Sequence, residues 1–177
     1  MPNVFFVTQG KTYWFECRDG YIWAPIPFRG DRVFWRNVEL VKVGDVIIHF
    51  AGTINGGISA ISQATTDCFI SPITQELREI AKGTHGVGFD YPNGRRVDCS
   101  YVPLQNKMPI NTFSDVIRRF KRKRNSAFNI NCGVNQGYLY ELEHPIAYAM
   151  IKKAVELNPY LKTFKFIVNV LNDLERN

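Results

Sequence analysis

The chain has 177 residues, of which 45% are hydrophobic and 21% charged, which fits one folded domain and excludes a disordered tail as its main feature. Its 22 Lys and Arg against 16 Asp and Glu give a net charge of +6, which favours a polyanionic partner. No apolar run reaches the ~18 residues of a membrane span and no basic-then-apolar leader opens the chain, so the expected setting is cytoplasmic. Cys17, Cys68, Cys99 and Cys132 are scattered without a C-x-x-C pair, which points to reduced, mostly buried thiols and away from a disulfide framework or a zinc site.

In chain order, Val4–Thr8 is a short β-prone run ending at Gln9-Gly10, and Tyr21–Trp23 is a second, stopped by Pro25 and Pro27. Asp45–Phe50 and Ile58–Gln63 flank Thr53-Ile54-Asn55-Gly56-Gly57. Asn-Gly supplies the positive φ that a hairpin turn needs, so these two runs are predicted to pair. Ser71-Pro72 is predicted to open a helix carrying Leu77 and Ile80, with Gly83 as its stop. Val97, Cys99 and Tyr101 alternate with polar residues as in a half-buried strand, and Tyr138–Leu142 reads as another. Thr112 followed by Asp115 is a capping-box pattern ahead of Phe113, Val116, Ile117 and Phe120 at helical spacing. His144-Pro145 and Asn158-Pro159 are predicted to begin two more helices, the last with Leu161, Phe164, Val168 and Leu171 on one stripe. Strands, a central hairpin and interspersed helices make the expected class α+β with a mixed, mostly antiparallel sheet.

The charge is concentrated. Between Arg95 and Arg124 nine basic residues face only Asp98 and Asp115, a local net of +7. A basic run has a plain reading as a solvated helix end. The cluster Arg118, Arg119, Lys121, Arg122, Lys123 and Arg124 is read instead as phosphate-facing, because so many adjacent like charges repel unless an anion offsets them. Arg95 and Arg96 are assigned to the same role.

Sequence motifs give no support to catalysis. His49, His85 and His144 show no metal-ligand spacing, and the chain carries no G-x-x-x-x-G-K-[ST], G-x-S-x-G or H-E-x-x-H. Glu39 and Lys42 have the wrong spacing for a nuclease strand, and Gly83–Gly88 fits no phosphate fingerprint. No cofactor and no metal is expected. Aromatic rings are the informative feature: Tyr13, Trp14, Tyr21, Trp23, Phe28, Phe34 and Trp35 crowd a stretch rich in Pro and Gly. They read either as rings packing a loop onto the sheet or as a pocket that sandwiches a flat ligand such as a nucleobase.

Phe5–Tyr13 and Gly20–Pro25 resemble the opening of EVE domains of the PUA-like superfamily, related to YTH domains and found fused to modification-dependent restriction enzymes. Trp35–Phe50 is similar to that family's W-x-N-V…V-K-x-G-D-x-I-x-H-Y segment, and Asn135–Tyr140 to its N-Q-G-Y-L-F motif. The resemblance implies a PUA-like β-barrel with flanking helices over residues 1–143, followed by a helical extension over 144–177. It also implies a non-catalytic reader that flips a modified base of double-stranded DNA into an aromatic cage. The base expected is 5-methyl- or 5-hydroxymethylcytosine, with nuclease or NTPase activity on another module of the system. Trp23 would be one wall and Trp35 a second wall or its support, with Tyr13 and Phe50 as further walls. Ser59 and Ser62 would bond the base edge. The alternatives are a YTH-like reader of N6-methyladenine in DNA or RNA, an enzyme on small nucleobases, and a module whose basic helix meets an acidic protein.

Overall fold

Along β1 (Val4–Gln9), successive side chains enter two different cores: Val4 and Phe6 one, Phe5 and Val7 the other. β3 (Val46–Ala51) repeats the pattern, with Val46 and Ile48 on one side and Ile47 on the other. That period of two buries both faces of the sheet. The computed structural model describes residues 2–27, 30–52, 56–81, 91–120 and 125–176.

The remaining strands are β2 (Tyr21–Pro25), β4 (Gly57–Ala64), β5 (Phe69–Pro72), β6 (Asn93–Met108) and β7 (Leu139–Glu141). They are ordered β2-β6-β4-β3-β1-β7, with β5 also on β6. β1 and β3 run parallel and the other pairs antiparallel. β6 curls the sheet, because its first half pairs with both β2 and β5 and its second half with β4. The two ends of the order then approach each other: the backbone N–H of Trp23 on β2 donates to the Tyr138 hydroxyl beside β7, at 2.8 Å. This curled mixed sheet with flanking helices is the expected α+β class with mostly antiparallel strands. The predicted hairpin is the antiparallel β3–β4 pair; Asn55 of its turn lies outside the described residues.

The helices are α1 (Tyr13–Asp19), α2 (Val33–Arg36), α3 (Gln75–Ala81), α4 (Ser114–Arg119), α5 (His144–Leu157) and α6 (Lys165–Glu175). Three helix expectations are corrected. Ser71-Pro72 closes strand β5 instead of opening a helix, since these residues pair with Gly94 and Asn93. An edge strand tolerates the missing N–H of proline. α3 starts after Thr74, whose Oγ1 accepts from Leu77 N at 3.2 Å; Gly83 lies outside the described residues. The Thr112 capping box does not form, because Ile110–Phe113 is a 3-10 turn and α4 begins at Ser114. The C-terminal stripe is also displaced. Pro159–Thr163 forms a separate 3-10 turn, which resets the phase so that α6 buries Ile167, Val170 and Leu174 beside Leu161, while Phe164, Val168 and Leu171 are half-buried.

α5 and α6 bury Ile146, Met150, Ile151, Ile167 and Val170 in the same core as Val4, Phe6 and Ile48. Asn158 fixes their junction to β6: its Oδ1 accepts from Asn106 N at 2.8 Å and its Nδ2 donates to Asn106 O at 3.1 Å.

Candidate nucleic-acid interface

The barrel interior is apolar at one end, where Phe5, Ile22, Ile47, Val97 and Leu139 meet. At the other end Gln9 and His49 continue the inward registers of β1 and β3, and α1 closes over them with Glu16. Gln9 Nε2 donates to Glu16 Oε2, and its Oε1 accepts from His49 Nδ1 at 2.9 Å. His49 Nε2 then accepts from the Ser62 hydroxyl at 2.7 Å. The Tyr138 hydroxyl donates to Glu16 Oε1 at 2.9 Å, and the Tyr101 hydroxyl donates to Tyr21 O at 2.9 Å. Burial pushes the Glu16 carboxyl up to about 8 and the His49 imidazole down to about 3. His49 is therefore neutral at pH 7. This network is closed on itself: its donors and acceptors face one another, as buried polar groups require.

The six residues predicted to form one aromatic cage are not brought together. Trp23 is 3% exposed and clusters with Tyr21, Ile73 and Leu77 beneath α3. Its ring lies flat on Gly94, where an added Cβ would come within 2.2 Å of it, so only glycine fits there. Tyr13 packs with Ala51 and Ala60. Trp35 is half-buried against the Phe5 cluster, with the Arg32 guanidinium 5.1 Å from its ring centre. Phe50 stacks on Phe6 at 5.9 Å. Ser62 is used by His49. Ser59 sits at a β-bulge between β3 and β4, where its carbonyl accepts from the Tyr13 hydroxyl at 3.2 Å. Of these four rings, Tyr13 and Trp23 are buried core rings, while Trp35 and Phe50 are half-buried against the two main cores.

The predicted phosphate ligands also separate. Arg95 is buried, with Nη2 on Asp31 Oδ2 at 2.6 Å and Nε on Glu39. It belongs to the fold and is not presented to a ligand. Arg96 pairs with Asp98 at 2.6 Å and covers the Tyr21 ring at 4.4 Å. Arg118 and Arg119 are exposed at the end of α4, where Arg118 stands a long 3.9 Å from Asp115. Arg119 lines a groove of about 490 Å³ between α4 and α5 with Lys152 and Lys153, beside the carboxylates of Asp115 and Glu156, the latter 3.1 Å from Lys153 Nζ. Lys121, Arg122, Lys123 and Arg124 lie outside the described residues. Sequence reasoning missed the two lysines, because they are cations of a different helix that packing brings beside α4.

A second opening was not foreseen. Phe34 of α2 and Tyr140 of β7, with ring centres 6.2 Å apart, stand with Phe128 around a cavity of about 340 Å³ whose rim carries Asn125, Ser126, Asn135 and Gln136. Gly137 lets these rings close up, since an added Cβ would lie 1.8 Å from the Tyr140 hydroxyl. The only signal for it in the sequence was Asn135-Gln136-Gly137 ahead of Tyr140. Among the described residues no three His, Cys, Asp or Glu side chains group to hold a metal, and no helix is long and apolar enough to cross a membrane.

No family model and no curated protein matches the chain. Solved structures do. A hypothetical protein from Leishmania major superposes with a TM-score of 0.56 at 10% identity, covering 88% of this chain and 96% of its own. A structural-genomics protein from Pseudomonas syringae gives 0.53 at 10% identity, over 85% and 99%. ASCH from Zymomonas mobilis gives 0.52 at 6% identity, over 85% and 94%. At such identities the likeness is one of fold alone.

Proposed function

We propose that this chain is a non-catalytic nucleic-acid reader that holds duplex DNA by its phosphates and takes up a modified base, 5-methyl- or 5-hydroxymethylcytosine, so directing a nuclease of the same system to modified DNA. The observation that carries the reading is the cationic edge where Arg118 and Arg119 are exposed and Arg119 shares a groove with Lys152 and Lys153. In the sequence, six cations fall in the seven positions from Arg118 to Arg124, a run of like charge that a phosphate backbone would offset. The absence of catalysis is supported by the barrel interior. Glu16 and His49 are spent on internal hydrogen bonds and buried from any substrate.

Fluorescence anisotropy with labelled duplexes that differ in one base (cytosine, 5-methylcytosine, 5-hydroxymethylcytosine or N6-methyladenine) tests the reading. Replacing Arg118 and Arg119 by Gln should weaken binding to every duplex alike. It should also make the slope of log affinity against log salt shallower by about 0.9 for each phosphate that is no longer neutralised. An unchanged slope returns these arginines to the role of a solvated helix end. Cleavage of any duplex by the pure chain with magnesium and nucleotide triphosphates overturns the non-catalytic part.

A further inference from the structure

The pocket formed by Phe34, Phe128 and Tyr140 carries polar groups that the fold itself leaves unused. Tyr140 is 2% exposed, yet its hydroxyl makes no hydrogen bond among the described residues and lies against the Gly137 backbone at the pocket lining. The side-chain amides of Asn125 and Gln136 are likewise unengaged there, and both residues are exposed on the rim.

Three properties define what would. The walls are aromatic, which suits a flat ligand offering a π face. No described lining residue is charged, which suits an uncharged ligand. The rim offers amide donors and acceptors together with a phenol, which match a heterocycle with mixed donors and acceptors on its edge. The volume lies at the small end of the ~300–1,000 Å³ of small-molecule sites. The rim is also set in advance. Asn135 N donates to Ala127 O at 2.8 Å and Asn135 Nδ2 to Ser126 O at 2.8 Å. Asn129 Oδ1 accepts from Asn131 N at 2.9 Å and from Gly133 N at 3.0 Å. Asn125 is held at a φ of 64°, a left-handed conformation that Asn tolerates better than most residues. A rim fixed this way loses little freedom when a ligand arrives.

We infer that this pocket, and not the buried Trp23, receives a single uncharged nucleobase, which the Phe34 and Tyr140 rings flank while the Tyr140 hydroxyl and the Asn125 and Gln136 amides bond its edge. The inference rests on the nucleic-acid reading above and gives that reading its base site.

The test is a titration of the isotope-labelled full chain with free 2′-deoxycytidine, its 5-methyl and 5-hydroxymethyl derivatives and N6-methyl-2′-deoxyadenosine, followed by NMR. At least one nucleoside should shift the side-chain amide signals of Asn125, Asn135 and Gln136 to saturation. Tyr140→Phe should weaken that binding about tenfold, the loss of one hydrogen bond in a sheltered site. Gln136→Ala, an exposed substitution with no bearing on folding, should weaken it similarly. If the Trp23 indole signal moves and the amides do not, the base enters elsewhere and the inference is overturned. If no signal moves up to the solubility limit of all four nucleosides, it is overturned as well. Anisotropy with intact duplexes separates these failures from failure of the wider reading: duplex binding without a nucleoside response removes this pocket alone, and no duplex binding at low salt removes both.

Discussion

Two polar sites lie at opposite ends of a scale of saturation. In the barrel interior Gln9, Glu16, His49, Ser62 and Tyr138 give and accept hydrogen bonds among themselves and leave nothing for a ligand. In the Phe34–Tyr140 pocket a hydroxyl and two amides are left over, facing an opening. The first has strongly shifted proton affinities, usually taken to mark a functional site. Here they mark burial: desolvation is the largest cause for both Glu16 and His49. What distinguishes the proposed binding site from the structural network in this molecule is unused hydrogen-bonding capacity beside space, not the size of a pKa shift.

Removal of a ring from the sealed region should give the largest effect. Trp23→Ala empties the space over Gly94 and under Leu77, and should cost about 3–5 kcal/mol of folding stability, read from urea unfolding. Affinity for duplex DNA of the fraction that stays folded should be unchanged, because the cationic edge lies on α4 and α5. A stable Trp23→Ala chain without any preference for modified DNA would reverse the assignment of the two sites.

The pH dependence of stability sharpens the comparison next. Glu16 is raised to about 8 in the folded chain, so its stabilising share is complete below the unfolded carboxylate range and is lost as pH rises from about 4.5 to about 8. His49 is lowered to about 3; the unfolded chain takes up that proton as pH falls below about 6.5, so its share is lost toward acid. The two slopes oppose each other between about 4.5 and 6.5 and leave a plateau there, with decline on both sides. Glu16→Gln removes the alkaline decline, on the order of 4 kcal/mol across its window. Melting temperatures taken from pH 5 to pH 9 should therefore flatten above pH 6.5 in this variant. A wild-type curve that is already flat there would show that burial does not raise the Glu16 carboxyl.

Sequence patterning made the strands legible because alternation is local: Val97, Cys99 and Tyr101 on β6 face inward whatever lies beyond them. Helix starts were less legible. Ser71-Pro72 satisfies a helix-opening rule, but the ladder to Gly94 and Asn93 overrides it, and that ladder is a long-range contact. The candidate site was least legible. Trp23 and Trp35 drew attention as aromatics near prolines, yet β2 pairs along its length with β6 and buries Trp23. Phe34 and Tyr140 meet only because α2 packs beside β7, and β7 is placed by pairing with β1. Arg95 shows the same limit: its charge is visible in the sequence, and its partners Asp31 and Glu39 are visible only in the fold.

The smallest expected effect is the most exacting for the open site. If the rim amides are reserved for a ligand, their removal should leave the empty protein as it is. Gln136→Ala should change unfolding free energy by no more than about 0.5 kcal/mol, the usual range for a surface residue without a structural role. Asn125→Gly should do the same or stabilise slightly, because the φ of 64° at this position is one that glycine adopts without strain. Both variants should lose nucleoside binding in the titration above while their unfolding curves overlay that of the parent chain. A destabilisation above about 1 kcal/mol in either would mean that the amide works within the fold, and the contrast between the sealed network and the open rim would then disappear. Stability retained while binding disappears is the pairing that a structural role cannot produce, because a residue that holds its neighbours in place is felt with the pocket empty.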